Sequence, residues 1–231
     1  MPDVSHHTWP PTRAESPLAI LLSGGLDSAI LLAESLRAYP AVHPIFIRTG
    51  AIWEGVENDH LRRFLDAVRV PALRPLVELG LPVGDLYGDH WSLTGRGTPE
   101  EGTPDEAVFL PGRNVILLTK ALLWCHLNRV PELAMAPLVS NPFPDSTAPF
   151  YNGMADAVNR SVDGRVRILR PYATMELTKA DVLKRGAGMP LQHTFSCIRP
   201  ASGHHCGRCN KCAERRRGFA DAGMPDPTEY N

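Results

Sequence analysis

An α/β fold, with a parallel sheet covered by helices on both faces, is predicted by three features of the sequence. From Pro17 onward, short apolar runs alternate with longer segments of helical periodicity, the pattern of repeated βα units. A Ser-Gly-Gly turn at 23–25 joins the first apolar run to the first helical segment, as a strand-to-helix connection requires. The 231 residues, 43% of them hydrophobic, suffice for one sizeable core and are few for two full α/β domains. The expected organisation is a lead-in at 1–16, a main α/β domain at 17–195 and a C-terminal four-cysteine segment at 196–231.

The lead-in has no periodicity and contains Pro10-Pro11, so it reads as a flexible or surface-draped tail, with His6-His7 solvated. Leu18 to Leu22 is a buried-strand run. The helix that follows, Asp27 to Ala38, carries Leu31, Leu32 and Leu36 on one face. Ile45 to Ile47 is the second strand, and Val56 to Val68 a helix with Leu61, Phe64, Leu65 and Val68 at helical spacing. Leu73 to Leu79 is a third strand interrupted by a proline. Residues 80–111, rich in Gly, Pro, Asp and Thr, read as an active-site loop or lid. Beyond it come a helix at Asn114 to Leu127, a strand at Leu133 to Ala136, a helix at Thr147 to Asn159 and a strand at Val166 to Leu169. A last helix runs to Lys184 with Thr178 as its N-cap.

Charge narrows the function. Lys and Arg total 24 against 25 Asp and Glu, a formal net charge of -1, so the molecule lacks the basic excess of a non-specific nucleic-acid binder. No apolar run approaches the roughly 20 residues that cross a bilayer, and the N-terminus shows no secretory pattern. A cytoplasmic protein is expected.

The strongest chemical signal is Ser23-Gly24-Gly25-Leu26-Asp27-Ser28. It stands at the carboxyl end of the first strand, where open α/β sheets bind ligands. Gly24 and Gly25 let the backbone turn tightly and aim N–H groups at an anion, the helix starting near Leu26 adds its positive end, and Ser23 and Ser28 supply hydroxyls. Phosphate suits such a cradle. Asp27 beside phosphate calls for a cation, and Mg2+ held directly or through water resolves the conflict. The Gly-Lys-Ser/Thr ending of a Walker A loop is missing, which disfavours γ-phosphate transfer. An ordinary strand-to-helix turn has the same composition.

Cys197, Cys206, Cys209 and Cys212 form C-x8-C-x2-C-x2-C in a polar, Gly-rich stretch. Two linked C-x2-C steps wrap three thiolates around one ion and Cys197 closes a tetrahedron, which suits structural Zn2+. An iron–sulfur cluster uses the same ligand type and is the rival. The remaining cysteine, Cys125, lies among Leu122, Leu123 and Leu127 and reads as core. Arg215, Arg216 and Arg217 read as a solvated face, with an anionic partner as the other possibility.

Taken together, SGGLDS, Pro111-Gly112-Arg113-Asn114, Phe143-Pro144-Asp145, Leu177-Thr178-Lys179-Ala180-Asp181, Ser196-Cys197, HCGRCNKCAERRRGF and Asp226-Pro227 resemble the 7-cyano-7-deazaguanine synthase (QueC-like) family of PP-loop ATP pyrophosphatases, over most of residues 18 to 227. The resemblance implies a Rossmann-like, adenine nucleotide alpha hydrolase-like domain. It also implies a ligase that adenylates the carboxylate of 7-carboxy-7-deazaguanine with ATP, lets ammonia displace AMP, then activates the amide again and dehydrates it to a nitrile. Ser23, Gly24, Gly25, Leu26, Asp27 and Ser28 would bind the nucleotide, and Asp27, Lys179 and Arg113 would act in catalysis. Arg113 offers a planar fork for a carboxylate or phosphate, and Lys179 a compact charge near departing pyrophosphate. Asn114, Phe143 and Asp145 would join Arg113 in binding the substrate, Asp145 with two acceptors for a guanine-like edge. Each also fits a structural role: Arg113 and Asn114 as helix caps, Lys179 as a solvated first-turn lysine, Asp145 as a turn residue. A homodimer is also implied.

The sequence departs from the family where the acid would be recognised. Arg48-Thr49-Gly50-Ala51-Ile52-Trp53-Glu54 stands where relatives carry Tyr-Gly-Gln-Arg-His. Phe143-Pro144-Asp145-Ser146-Thr147 replaces Tyr-Pro-Asp-Cys-Arg, and Leu138-Val139-Ser140-Asn141 replaces an acidic Ser-Gly approach. These changes open two further readings: a branch that joins a deazaguanine acid to another amine, and a PP-loop tRNA thiolation enzyme. A zinc-stapled module that only binds ATP is the non-enzymatic rival.

Overall fold

The computed structural model describes residues 8–231, so His6-His7 and the first residues of the lead-in lie outside the described part. The elements in chain order are β1 (Leu18–Leu21), α1 (Leu26–Ser35), β2 (Val42–Arg48), α2 (Glu54–Ala67), β3 (Val77–Gly80) and the single-turn helices α3 (Gly84–Tyr87) and α4 (Trp91–Thr94). There follow α5 (Arg113–Leu127), β4 (Glu132–Ala134), α6 (Ala148–Val162), β5 (Arg167–Leu169), the short α7 (Pro171–Thr174), α8 (Lys179–Arg185) and α9 (Asn210–Ala222). The five strands form one sheet in the order β3-β2-β1-β4-β5, and every pairing is parallel. Strand order therefore reverses between β1 and β4: the chain runs outward from β1 through β2 and β3 on one side, then crosses back to add β4 and β5 on the other.

Two apolar layers cover the sheet. On one face Ile20, Ile30, Leu31, Phe46, Phe64, Leu183 and Phe219 form a cluster that draws on α1, α2, α8 and α9. On the other, Ala19, Ile45, Leu118, Leu122, Cys125, Leu133 and Tyr151 join the sheet to α5 and α6. Burial pushes the Cys125 thiol up to about 12, as expected of a core thiol. Within the first layer Glu34 is 4% exposed yet satisfied, accepting from Tyr172 Oη at 2.8 Å and from Arg185 Nε at 2.7 Å. This trio ties α1 to α7 and α8.

Several boundaries differ from the sequence expectation for identifiable reasons. β2 begins at Val42, through His43-Pro44, because Pro44 falls between the Val42 contacts with Ala72 and Arg74 and the start of the β3 ladder at Ile45. Pro75 delays β3 to Val77, leaving Leu73 only an isolated bridge to Val42. Residues 8–16 pack against the segment that follows α1: Ala14 N donates to Ala38 O at 2.9 Å and the Trp9 ring lies 5.7 Å from Tyr39. The four-cysteine segment is packed into the body of the protein, its helix α9 placing Phe219 and Ala222 in the main core beside α8. Among the described residues no helix is long and apolar enough to cross a membrane.

Candidate active site

A cleft of about 340 Å³ opens at the carboxyl ends of β1, β2 and β4, over the point where strand order reverses. Ser23, Gly25, Leu26, Asp27 and Ser28 line one wall. The Ser23 and Ser28 hydroxyls lie 3.3 Å apart, and Ser28 Oγ donates to Gly25 O at 3.3 Å, which closes the loop on itself. Helices α6 and α8 have threonine N-caps, Thr147 and Thr178, but α1 starts at Gly25 with no side-chain cap. Its first-turn N–H groups are left for a guest, as at helix N-termini that hold phosphate.

Gly24 stands behind this wall, against α2. Its φ is +73°, and a Cβ there would meet Glu57 Cγ at 2.9 Å and Glu57 O at 3.3 Å. The conformation alone costs an L-residue about 1–2 kcal/mol. Gly24→Ala is expected to lower the thermal midpoint by several degrees and to weaken ATP binding at least ~10-fold, both measurable by melting the protein with and without nucleotide.

Asp27 and Lys179 meet across the cleft. Lys179 Nζ donates to Asp27 Oδ1 at 2.9 Å and Oδ2 at 2.7 Å, and Glu214 lies 3.8 Å away with Lys211 bound to it at 2.5 Å. Burial works against the Lys179 ammonium, but Asp27 and Glu214 outweigh it and its pKa is raised. Lys179 follows the Thr178 cap of α8, where Thr178 and Asp181 form a capping box. Its stem runs over Gly218 of α9, where a Cβ would stand 3.0 Å from Lys179 Cγ. The lysine is held by the helix beneath it, with 21% of its side chain exposed, which sets it apart from a solvated first-turn residue.

Arg113, Asn114, Phe143 and Asp145 line the same cleft. Asp145 is 8% exposed, and its Oδ2 accepts from Asn114 N at 3.0 Å while Asn114 Nδ2 donates to Asp145 O at 2.8 Å. Asp145, a lining residue of the cleft, therefore caps α5 from 31 residues away, and its Oδ1 makes no hydrogen bond among the described residues. Ser146 and Thr147, at the departure from the family pattern, have local partners: Ser146 Oγ is 3.4 Å from Tyr151 Oη, and Thr147 caps α6. The Arg113 guanidinium has no hydrogen-bonding or ion-pair partner among the described residues. Flat aromatic walls flank these polar groups. Phe109 and Phe143 have ring centroids 5.1 Å apart, and Trp53 stacks on Trp91 of α4 at 5.7 Å, so the irregular 80–111 stretch contributes directly to the cleft.

Sequence reasoning missed five charged lining residues: Glu54, Glu57, Lys211, Glu214 and Arg215. The arginine run is not a solvated face throughout. Arg215 is 1% exposed and donates to Thr228 Oγ1 at 2.6 Å, Leu191 O at 3.1 Å and Ser196 Oγ at 3.2 Å, whereas Arg216 and Arg217 lie farther out against Glu101 and Asp105. The signal was available in the spacing, since Lys211, Glu214, Arg215 and Gly218 fall at i, i+3, i+4 and i+7 on one helix face.

The four cysteine sulfurs lie within 4.8 Å of one another, and those of Cys197 and Cys209 are 3.8 Å apart. Thiolates about 2.3 Å from one tetrahedral ion stand ~3.8 Å apart, so the set fits a single metal ion. A cubane cluster puts each thiolate on a separate iron around a larger inorganic core, which this spacing is too tight to enclose. The N–H groups of Arg199 and Cys206 both donate to Cys197 Sγ at 3.3 Å, orienting the thiolate as outer partners of a metal site do.

A parallel sheet with an uncapped Ser-Gly-Gly turn at its switch point, a lysine–aspartate pair facing that turn and a buried four-cysteine set define a nucleotide-binding enzyme of the PP-loop class. Within it, the chain belongs to the family described as Queuosine biosynthesis protein QueC, which it matches over residues 18–223. It is 32% identical to a 7-cyano-7-deazaguanine synthase of Syntrophobacter fumaroxidans, covering 91% of this chain and 94% of that one. It is 31% identical to the 7-cyano-7-deazaguanine synthase of Thiobacillus denitrificans, at 91% and 96% coverage. Among solved structures, the U34-tRNA thiolase NcsA of Methanococcus maripaludis aligns with a TM-score of 0.48 at 14% identity, over 83% of this chain and 61% of that one.

Proposed function

We propose that this chain is an ATP-dependent carbon–nitrogen ligase that adenylates 7-carboxy-7-deazaguanine and, with ammonia, converts it into the nitrile 7-cyano-7-deazaguanine. The reading is supported above all by the convergence of the uncapped loop, the Asp27–Lys179 pair and the unpartnered Arg113 in one cleft. The loop N–H groups with Ser23 and Ser28 hold the inner phosphates of ATP, and Arg113 orients the acid's carboxylate toward the α-phosphorus. As that oxygen attacks, the bond to pyrophosphate breaks, and Lys179 meets the charge that leaves. Asp27 would hold Mg2+, which when bound neutralises phosphate charge. Phe143 and Phe109 stack the planar base, and Asp145 Oδ1 accepts from its N–H edge. The four cysteines would hold structural Zn2+, as their sulfur-only set and tight spacing favour. A cytoplasmic homodimer completes the proposal.

Trp53, Ser146 and Thr147, which stand where relatives carry other residues, favour one variation: passing the activated acid to an amine other than ammonia. Thiolation is disfavoured, because among the described residues no cysteine lines the cleft. The deciding experiment is mass analysis of products from 7-carboxy-7-deazaguanine, ammonium, ATP and Mg2+. The nitrile with AMP and pyrophosphate supports the main reading. An amide that accumulates, or turnover only when another amine is added, supports the variation, and no acid-dependent pyrophosphate release overturns both.

A further inference from the structure

Two charged side chains in the cleft have no hydrogen-bonding partner among the described residues: Arg113 and Glu57. Glu57 is 7% exposed, in the first turn of α2, directly under Gly24 of the phosphate loop. Its neighbour Glu54 is equally buried but fully occupied, accepting from Thr49 N at 2.7 Å, Thr49 Oγ1 at 2.6 Å and Gly50 N at 3.0 Å. A mostly buried carboxyl that lines a cleft and has no hydrogen-bonding partner among the described residues is left free to meet a guest. Burial raises the Glu57 pKa well above its ordinary range, Arg113 works in the opposite direction, and Glu54 adds to the rise. Arg113 from α5 and Glu54 from its own helix are thus the charges that act on it, while Asp27 and Lys179 line the same cleft from α1 and α8. Arg113 and Glu57 line the same cleft and make no hydrogen bond to each other.

Resting on the ligase function proposed above, we infer that Glu57 is the general base of the amide-forming step. With the acid's carboxyl carbon held by Arg113, Glu57 stands beside the carbon that ammonia attacks. The nitrogen lone pair forms the C–N bond, the C–O bond to AMP breaks with its electrons leaving on the phosphate oxygen, and the proton shed by nitrogen passes to the Glu57 carboxylate. A base with a raised pKa suits proton transfer near neutral pH.

The test separates the two halves of the reaction in Glu57→Gln, an isosteric change. Acid-dependent exchange of pyrophosphate into ATP reports adenylation, and amide formation from ammonium reports the second half. Exchange is expected to stay within about fivefold of the wild type, while amide formation falls ~10²-fold or more. Measured at constant free ammonia, the wild-type amidation rate rises with pH through a single ionisation that the variant lacks, and Glu57→Asp restores part of it. Folding is followed separately. A raised pKa means the native state keeps a proton that the unfolded chain releases, so wild-type stability falls as pH rises from the ordinary 4.5 toward the native value. Glu57→Gln removes that loss, so its melting advantage over the wild type grows with pH. Equal falls in exchange and amidation, or amidation unchanged with its pH limb intact, overturn the assignment of Glu57 alone. No acid-dependent exchange in the wild type overturns the ligase function, and this inference with it.

Discussion

Asp27→Ala is expected to lower acid-dependent ATP cleavage by ~10³-fold or more in kcat/KM while the chain stays folded. Asp27 is in the first turn of α1, and both its oxygens accept from Lys179 at 2.9 and 2.7 Å. Removing it takes away the cation-holding carboxylate beside the phosphates and also releases Lys179 toward Glu214, 3.8 Å away, drawing the ammonium from its post. Asp27→Asn separates the two effects, since it keeps the shape and a hydrogen-bond acceptor but not the charge. Both variants should stay folded, because Glu214, 3.8 Å from Lys179 Nζ, remains to meet the ammonium. Pyrophosphate release measured against Mg2+ concentration is the check. Activity within tenfold of the wild type in Asp27→Ala would remove the phosphate loop from the mechanism.

How much of this site the sequence displayed depends on how local each feature is. SGGLDS and the Cys197–Cys212 spacing were legible because loop and metal ligands are short-range patterns whose chemistry follows from residue type and interval. The Thr178 cap was legible for the same reason, with Asp181 three residues on. Asp145 was not: its role as cap of α5 joins residues 31 apart, which no local rule contains. Helix α9 was hidden behind its charges, since Lys211 to Arg217 read as a polar run until Phe219 and Ala222 are seen packing under the sheet. The buried position of Glu57 depends on α2 crossing beneath Gly24, a tertiary contact that hydrophobic periodicity does not encode.

The metal set carries the other large effect. Cys209 is the N-cap of α9 and Cys212 lies in its first turn, so an ion bound there fixes the start of the helix that carries Lys211, Glu214 and Arg215 into the cleft. The buried cysteines also pack with Ala51, Trp53, Val108 and Phe195, which connects the metal to the cleft wall and, through Phe195 N donating to Gly24 O at 2.8 Å, to the phosphate loop. Stripping the ion should therefore unfold the C-terminal segment and disorganise the active site together. Structural zinc contributes on the order of 10 kcal/mol to domains that depend on it. Even half of that corresponds, at ~2–4 °C per kcal/mol for a chain of this size, to a fall in melting midpoint of 10 °C or more. A strong chelator, or Cys206→Ser, is expected to produce that fall and to abolish turnover in proportion to metal lost. Native protein should contain one zinc per chain and show no visible iron–sulfur absorption, and added Zn2+ should restore the chelated sample but not the serine variant. A metal-free chain that kept its melting midpoint and its turnover would show that α9 stands without the ion, and the link from cysteine set to catalytic cleft would fail.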